Sequence, residues 1–153
     1  MRILPRMTLL IWLTSACSCS IVDTDSAGLK VQLSGPQSIS VTDTAHFQLT
    51  VTNTSRVDVA EALTASKAGF TMDVRNPTGK LVWSSTSGTL VSISQVLAVS
   101  AGSEVVLNGS WPLEDNHGDR IKPGVYQVHA RLERTGGSTI ASDPHALTLS
   151  VIP

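Results

Sequence analysis

Asp115, Asn116, His117, Asp119 and Arg120 stand within six consecutive residues, with Gly118 among them. Alternating oxygen and nitrogen donors of this kind could converge on a cation in a loop. A Ca²⁺ loop needs more oxygen ligands, closed by a later acidic side chain, and a zinc site brings more His or Cys. Asp, Asn and Gly are also the residues that turn geometry favours. The run is therefore read as a turn and as the candidate binding loop, without a metal. Nucleophilic chemistry has less to work with. A serine hydrolase would present its serine in a strained G-x-S-x-G turn, and no such turn occurs. The only two cysteines, Cys17 and Cys19, lie near the start of the chain. Asp73 falls on the outward face of a predicted strand, Glu61 and Glu104 have no identifiable partner, and His46, His129 and His145 read as strand-surface or strand-end residues, so solvated surface is the expectation for all of them. No catalytic residue, metal site or cofactor motif emerges, and the chain reads as a non-enzyme.

Cys17 carries a different chemistry. Arg2 and Arg6 make a positive start, and the ten residues from Met7 to Ala16 are largely apolar, too few to span a bilayer of ~30 Å as a permanent helix. Residues 1–16 are read as an export signal. Leu13-Thr14-Ser15-Ala16-Cys17, with small residues before a cysteine, resembles the lipobox of bacterial lipoproteins. The resemblance implies cleavage before Cys17 and a diacylglycerol on its thiol, two acyl chains being enough for stable anchoring where one is marginal. The alternative is an ordinary secretory signal cut near Ala16 or Ser18, which would leave the protein secreted; Cys19 is a second lipidation position with weaker flanks. With both cysteines ahead of the domain, an intradomain disulfide is impossible and stability must come from the core.

The elements that must position the loop are strands. Residues 17–28 are small and polar, the composition of a flexible tether. From Leu29 onward, Leu29, Val31 and Leu33 alternate with polar neighbours until Gly35-Pro36, and Phe47, Leu49 and Val51 repeat the pattern up to Asn53. Residues 57–64 are ambiguous: Val57 and Val59 favour a strand, whereas Ala60, Glu61, Ala62 and Leu63 also suit a helical turn, and a strand is preferred. Phe70, Met72 and Val74 alternate ahead of Asn76-Pro77-Thr78-Gly79, which predicts a β-hairpin over 70–84. Further strands are expected at about 91–99, 103–111, 125–133 and 146–152. In the last but one, Tyr126, Val128, Ala130 and Leu132 face one way and Gln127, His129, Arg131 and Glu133 the other. The sum is an all-β chain, an Ig-like antiparallel β-sandwich of about seven to eight strands over residues 29–153. Trp83 and Trp111 are expected in its core, Trp83 above all. Tyr126, following Pro123-Gly124, fits a tyrosine corner whose hydroxyl bonds back to the turn.

Composition agrees. With 153 residues the chain suits one domain, and 4% aromatic and 15% charged residues suit short strands rather than long charged helices. A formal net charge of −1 without clustered Lys and Arg excludes a nucleic-acid footprint. Asn53-Thr54-Ser55 and Asn108-Gly109-Ser110 meet the glycosylation rule, but beside a lipobox-like signal both read as turns.

Asn53-Thr54-Ser55, Met72-Asp73, Gly79-Lys80-Leu81-Val82-Trp83, Trp111, Gly118 and Pro123-Gly124-Val125-Tyr126, in this order, resemble the BsuPI-type intracellular proteinase inhibitor domain over about residues 45–132. The resemblance implies an Ig-like sandwich and, beyond the fold, inhibition of a serine protease. An inhibitor needs a loop rigid enough to enter the cleft in an extended form with little loss of entropy. The segments 114–122 and 84–89 are the two candidates. The expected protein is thus an exported proteinase inhibitor-like binding domain of the bacterial cell envelope, held at the membrane by its lipid, with a serine protease or another envelope protein as partner. The alternative is a non-inhibitory adhesion or assembly module that binds protein or polysaccharide.

Overall fold

The structure, a computed structural model, describes residues 23–24, 28–65, 69–87, 93–135, 138–141 and 146–153. Cys17, Cys19, His145, the signal segment and residues 88–89 of the second candidate loop lie outside them. Twelve strands follow in chain order: β1 (Asp23–Thr24), β2 (Leu29–Ser34), β3 (Ser38–Ser40), β4 (Ala45–Asn53), β5 (Val59–Ala65), β6 (Thr71–Arg75), β7 (Leu81–Ser84), β8 (Ile93–Val99), β9 (Glu104–Trp111), β10 (Gly124–Glu133), β11 (Thr139–Ala141) and β12 (Leu147–Ile152). The chain is an all-β, Ig-like antiparallel sandwich. Each strand read from the sequence has its counterpart, residues 91–92 of the one expected at 91–99 lying outside the described residues, and β1, β3 and β11 are short additions of two or three residues.

The first sheet runs β1-β2-β4-β9. Its registers are set by the hydrophobic alternation: Val31 lies against Val51 and Leu33 against Leu49, and Leu49 pairs Leu107 on the other side. A slip of one residue would turn each of these side chains to solvent. The second sheet runs β3-β12-β10-β6-β7, with β11 also on β10. All its pairings are antiparallel except β12 with β3, which is parallel. A two-stranded ribbon, β5-β8, completes the fold. Pairing of β1 with β2 carries the first sheet back into the segment read as a tether.

Phe47, Leu49 and Val51 from one sheet and Met72, Val74, Tyr126, Val128 and Leu132 from the other belong to a single buried core. Each fully buried Val, Leu or Phe adds roughly 1.5–3 kcal/mol over its exposed state, which is what holds a fold whose described residues include no cysteine. Phe70 also enters this core, and its ring explains Gly109: a Cβ there would sit 2.7 Å from the Phe70 ring.

Four sequence expectations are corrected. The fully buried tryptophan is Trp111, whereas Trp83 is half-buried at the core's margin. Asp73, expected in solvent, is buried on β6 and ion-paired with Arg131, which also bonds Glu133 at 2.8 Å. Burial works against the Arg131 charge, but these two carboxylates outweigh it and hold the guanidinium above its ordinary pKa. Glu61 has a partner as well, Arg134 at 3.0 Å. Asn108-Gly109-Ser110 is no turn: it lies inside β9, opposite Gln48, Phe47 and His46.

Asn53 ends β4 buried, and its amide nitrogen donates to the Val57 carbonyl at 2.7 Å and the Val99 carbonyl at 2.9 Å. Its Oδ1 accepts the Ser55 N–H and hydroxyl at 2.9 and 2.7 Å. One side chain thus knits the end of β4 to the segment before β5 and to the end of β8. In the folded chain this leaves the buried Asn53 amide with neither hydrogen free.

Candidate functional site

The run 115–120 lies at the end of the sandwich where β4 begins, β9 leaves and β10 enters. Its base is hydrophobic. Trp111 closes β9, Leu113 is fully buried and Ile121 nearly so, so the chain is pinned on both sides of the loop. Leu113 has φ 58°, a left-handed conformation that costs a non-glycine residue about 1 kcal/mol or more and persists only where its surroundings impose it. Two bonds do the imposing: Trp111 Nε1 donates to the Glu114 carbonyl at 2.8 Å, and the Ile121 N–H donates to the Leu113 carbonyl at 3.0 Å.

Above this base the chain forms a small closed hairpin. Glu114 and Arg120 face each other in a β-bridge, and the Asp115 N–H donates to the Asp119 carbonyl at 2.8 Å. Asp115 Oδ1 accepts the His117 N–H at 2.8 Å and the Asp119 N–H at 3.1 Å, while the Gly118 N–H returns to the Asp115 carbonyl at 3.1 Å. Gly118 has φ 85°, a conformation glycine adopts without steric cost. The His117 N–H is the main reason the Asp115 carboxyl sits below its ordinary pKa; the Asp119 and Gly118 amides and the nearby imidazole add to it, against a smaller opposing effect of burial.

The hairpin is also docked sideways. The Asn116 N–H donates to the Val82 carbonyl at 3.1 Å, and Asn116 Oδ1 accepts the Ser84 N–H at 2.9 Å. Asn116 therefore behaves as one more strand residue on the free edge of β7, and it joins the two candidate loops, since 85–87 continues directly from Ser84. On the opposite flank Arg120 Nη1 donates to the Val41 carbonyl at 2.9 Å. Tyr126 completes the base: its hydroxyl donates to the Lys122 carbonyl at 2.7 Å, as a tyrosine corner requires. Burial raises its pKa. Trp83, Trp111 and Tyr126 contact one another in sequence beneath the loop, the first pair tilted at a centroid distance of 6.3 Å and the second edge-to-face at 5.6 Å.

All five residues named from the sequence are thus brought into one loop, with different duties. Asp115 and Asn116 spend their oxygens on the protein's own amides, and Arg120 is used as a strut to Val41. His117 and Asp119 are left at the exposed tip with their side chains outward. The donors do not converge on a point, and among the described residues no group of three or more His, Cys, Asp or Glu is placed to hold a metal ion. What the arrangement offers is a closed, hydrogen-bonded hairpin with an exposed tip. Sequence reasoning missed Leu113, Val82 and Ser84: the first acts through a backbone angle and the others through main-chain groups.

No family model and no curated protein matches the chain. Among solved structures, the C-terminal domain of Wzt is 13% identical over 88% of this chain and 78% of its own, with a TM-score of 0.56. That likeness shows the fold, an Ig-like β-sandwich. The CARDB domain of a Pyrococcus furiosus protein is 16% identical over 82% of this chain and 94% of its own, at a TM-score of 0.44. A Listeria innocua β-glucosidase in complex with laminaribiose is 12% identical; the match takes in 82% of this chain but 16% of the enzyme, at a TM-score of 0.47.

Proposed function

We propose that this protein is a non-catalytic, extracytoplasmic binding module, anchored through a lipid on Cys17, that engages a partner protein with the loop end carrying residues 114–122. The observation that carries this reading is the hydrogen-bonded closure of the 114–120 hairpin. Its base, interior and both flanks are bonded before any partner arrives, so little conformational entropy is lost on association. His117, Asp119 and the outer face of Arg120 supply mixed charge at its tip, which gives specificity more than raw affinity. Among the carboxylates that acid–base chemistry would call on, Asp73 is already committed to Arg131.

Inhibition of a serine protease is the particular form of binding that the BsuPI-type resemblance implies. A closed turn over 115–119 does not enter a cleft as an extended substrate would. An inhibitor built on it acts as a wedge that covers the cleft, and is itself not cleaved. The purified protein, solubilised in mild detergent, is titrated into a subtilisin-type protease. Stoichiometric loss of activity with the inhibitor recovered intact supports the inhibitor. Full activity at large molar excess over several serine proteases removes it and leaves an envelope adhesion or assembly module.

A further inference from the structure

The sheet edges of this sandwich are guarded unequally. The free edge of β7 is occupied by Asn116, β3 is only three residues long, and β2 is partly covered by β1. β9, the other free edge, carries the exposed Glu104, and the outer face beside it is mostly polar, with His46, Gln48, Thr50 and Asn108 around Val106. β8 has none of these protections. It is seven residues long, pairs β5 without a bulge from Val59↔Val99 to Ala65↔Ile93, and contains no charge and no proline. Among the described residues, the one bond to its backbone from outside β5 is the Asn53 amide on the Val99 carbonyl. Natural edge strands are ordinarily blunted by charge, proline or a bulge, because an unpaired apolar edge templates further pairing.

The ribbon also carries apolar residues on both faces, with Glu61 and Gln95 the polar residues of the inner one. Leu63, Leu97 and Val99 point into the core, while Ala60, Ala62, Val96 and Ala98 point out and are exposed, Val96 at 72%. Apolar residues on both faces are the pattern of strands covered on both sides. Glu61 carries charge but is tied to Arg134, so the open edge itself is neutral.

We infer that β8 is the pairing strand of a homodimer, in which two copies join β8 to β8 antiparallel about Val96 to form a four-stranded β5-β8-β8-β5 sheet. A second copy suits this edge because an uncharged strand meets no like charge when it pairs with itself, and Ser94 then lies opposite Ala98 with Val96 opposite its own counterpart. The small outer residues of both ribbons merge into one flat face. Since Val99 meets Asn53, at the far end of β4 from Ala45, pairing leaves the 114–122 end uncovered.

Sedimentation velocity on the purified protein across a wide concentration range tests this. The expected result is a monomer–dimer equilibrium that Val96→Lys abolishes with thermal unfolding unchanged, and that Val106→Lys, on β9, leaves intact. Should Val96→Lys fail to fold, Ala98→Lys serves in its place. A monomer at every concentration, or a dimer indifferent to lysine at 96 and 98, overturns the proposal; so does a monomer whose β8 edge is occupied instead by an unrelated protein.

Discussion

At the residue scale, the two tryptophans separate cleanly. Trp111 is enclosed and its indole N–H is bonded, so Trp111→Ala removes core volume, orphans the Glu114 carbonyl and releases the Leu113 turn; urea unfolding should show a loss of about 3–5 kcal/mol. Trp83→Ala, at the margin, should cost markedly less. Tyr126→Phe keeps the ring against Trp111 and deletes only the bond to the Lys122 carbonyl, for a loss of about 1 kcal/mol by the same measurement. The corner was legible in the sequence because a proline–glycine turn ahead of an alternating strand fixes where a tyrosine hydroxyl can reach. The choice between the tryptophans was not. Both stand beside apolar neighbours, and what separates them is that Trp83 sits on the edge strand β7 opposite Val74, while Trp111, at the end of β9, is enclosed against Tyr126 of the other sheet. Asp73 was misplaced for a related reason: alternation correctly put it on the outer face, but the partner that buries it, Arg131, is 58 residues away.

At the scale of elements, the 114–120 hairpin is governed by one carboxylate. The Asp115 pKa is depressed in the folded state below its ordinary 3.8, so the turn's stabilisation is complete above that value and is lost as pH falls through the lower, folded pKa. In an NMR titration the His117 and Asp119 amides should move together, with a midpoint below 3.8, and Asp115→Asn should remove the transition. A midpoint at or above the ordinary value would mean that these bonds do not persist in solution. The same scale shows where periodicity succeeds and fails. β2, β4 and β10 were readable because one face is core and the other solvent. β5 resisted because Val59, Ala60, Ala62 and Leu63 are apolar on both faces, which erases the period-two signal and leaves Ala and Leu to imitate a helical turn. The docking of Asn116 on β7 had no sequence signal, since the groups it meets on Val82 and Ser84 are main-chain.

For the whole molecule, the two proposals use separate regions. The loop end lies where β4 starts and the β8 ribbon reaches the opposite end of that strand, so pairing through β8 yields a particle with two loop ends, and its binding to a clustered target gains by effective concentration. Val96→Lys should then lower avidity for an immobilised partner while leaving the affinity of a single loop end unchanged, which parallel surface and solution measurements would separate. All described contacts agree with one core shared by both sheets, and that much followed from strand spacing and composition. The division into two sheets and a ribbon did not, because it depends on which distant strands pair.

The position of β12 has a consequence for how the protein is made. It follows every other strand described in the chain, yet it sits inside the second sheet, held by β10 on one side and by β3 on the other. That sheet cannot close until residue 151 is available, so β3 and β10 wait for the strand that joins them. Closure of the second sheet is thereby tied to the last of the described strands, whatever the order in which the others pair.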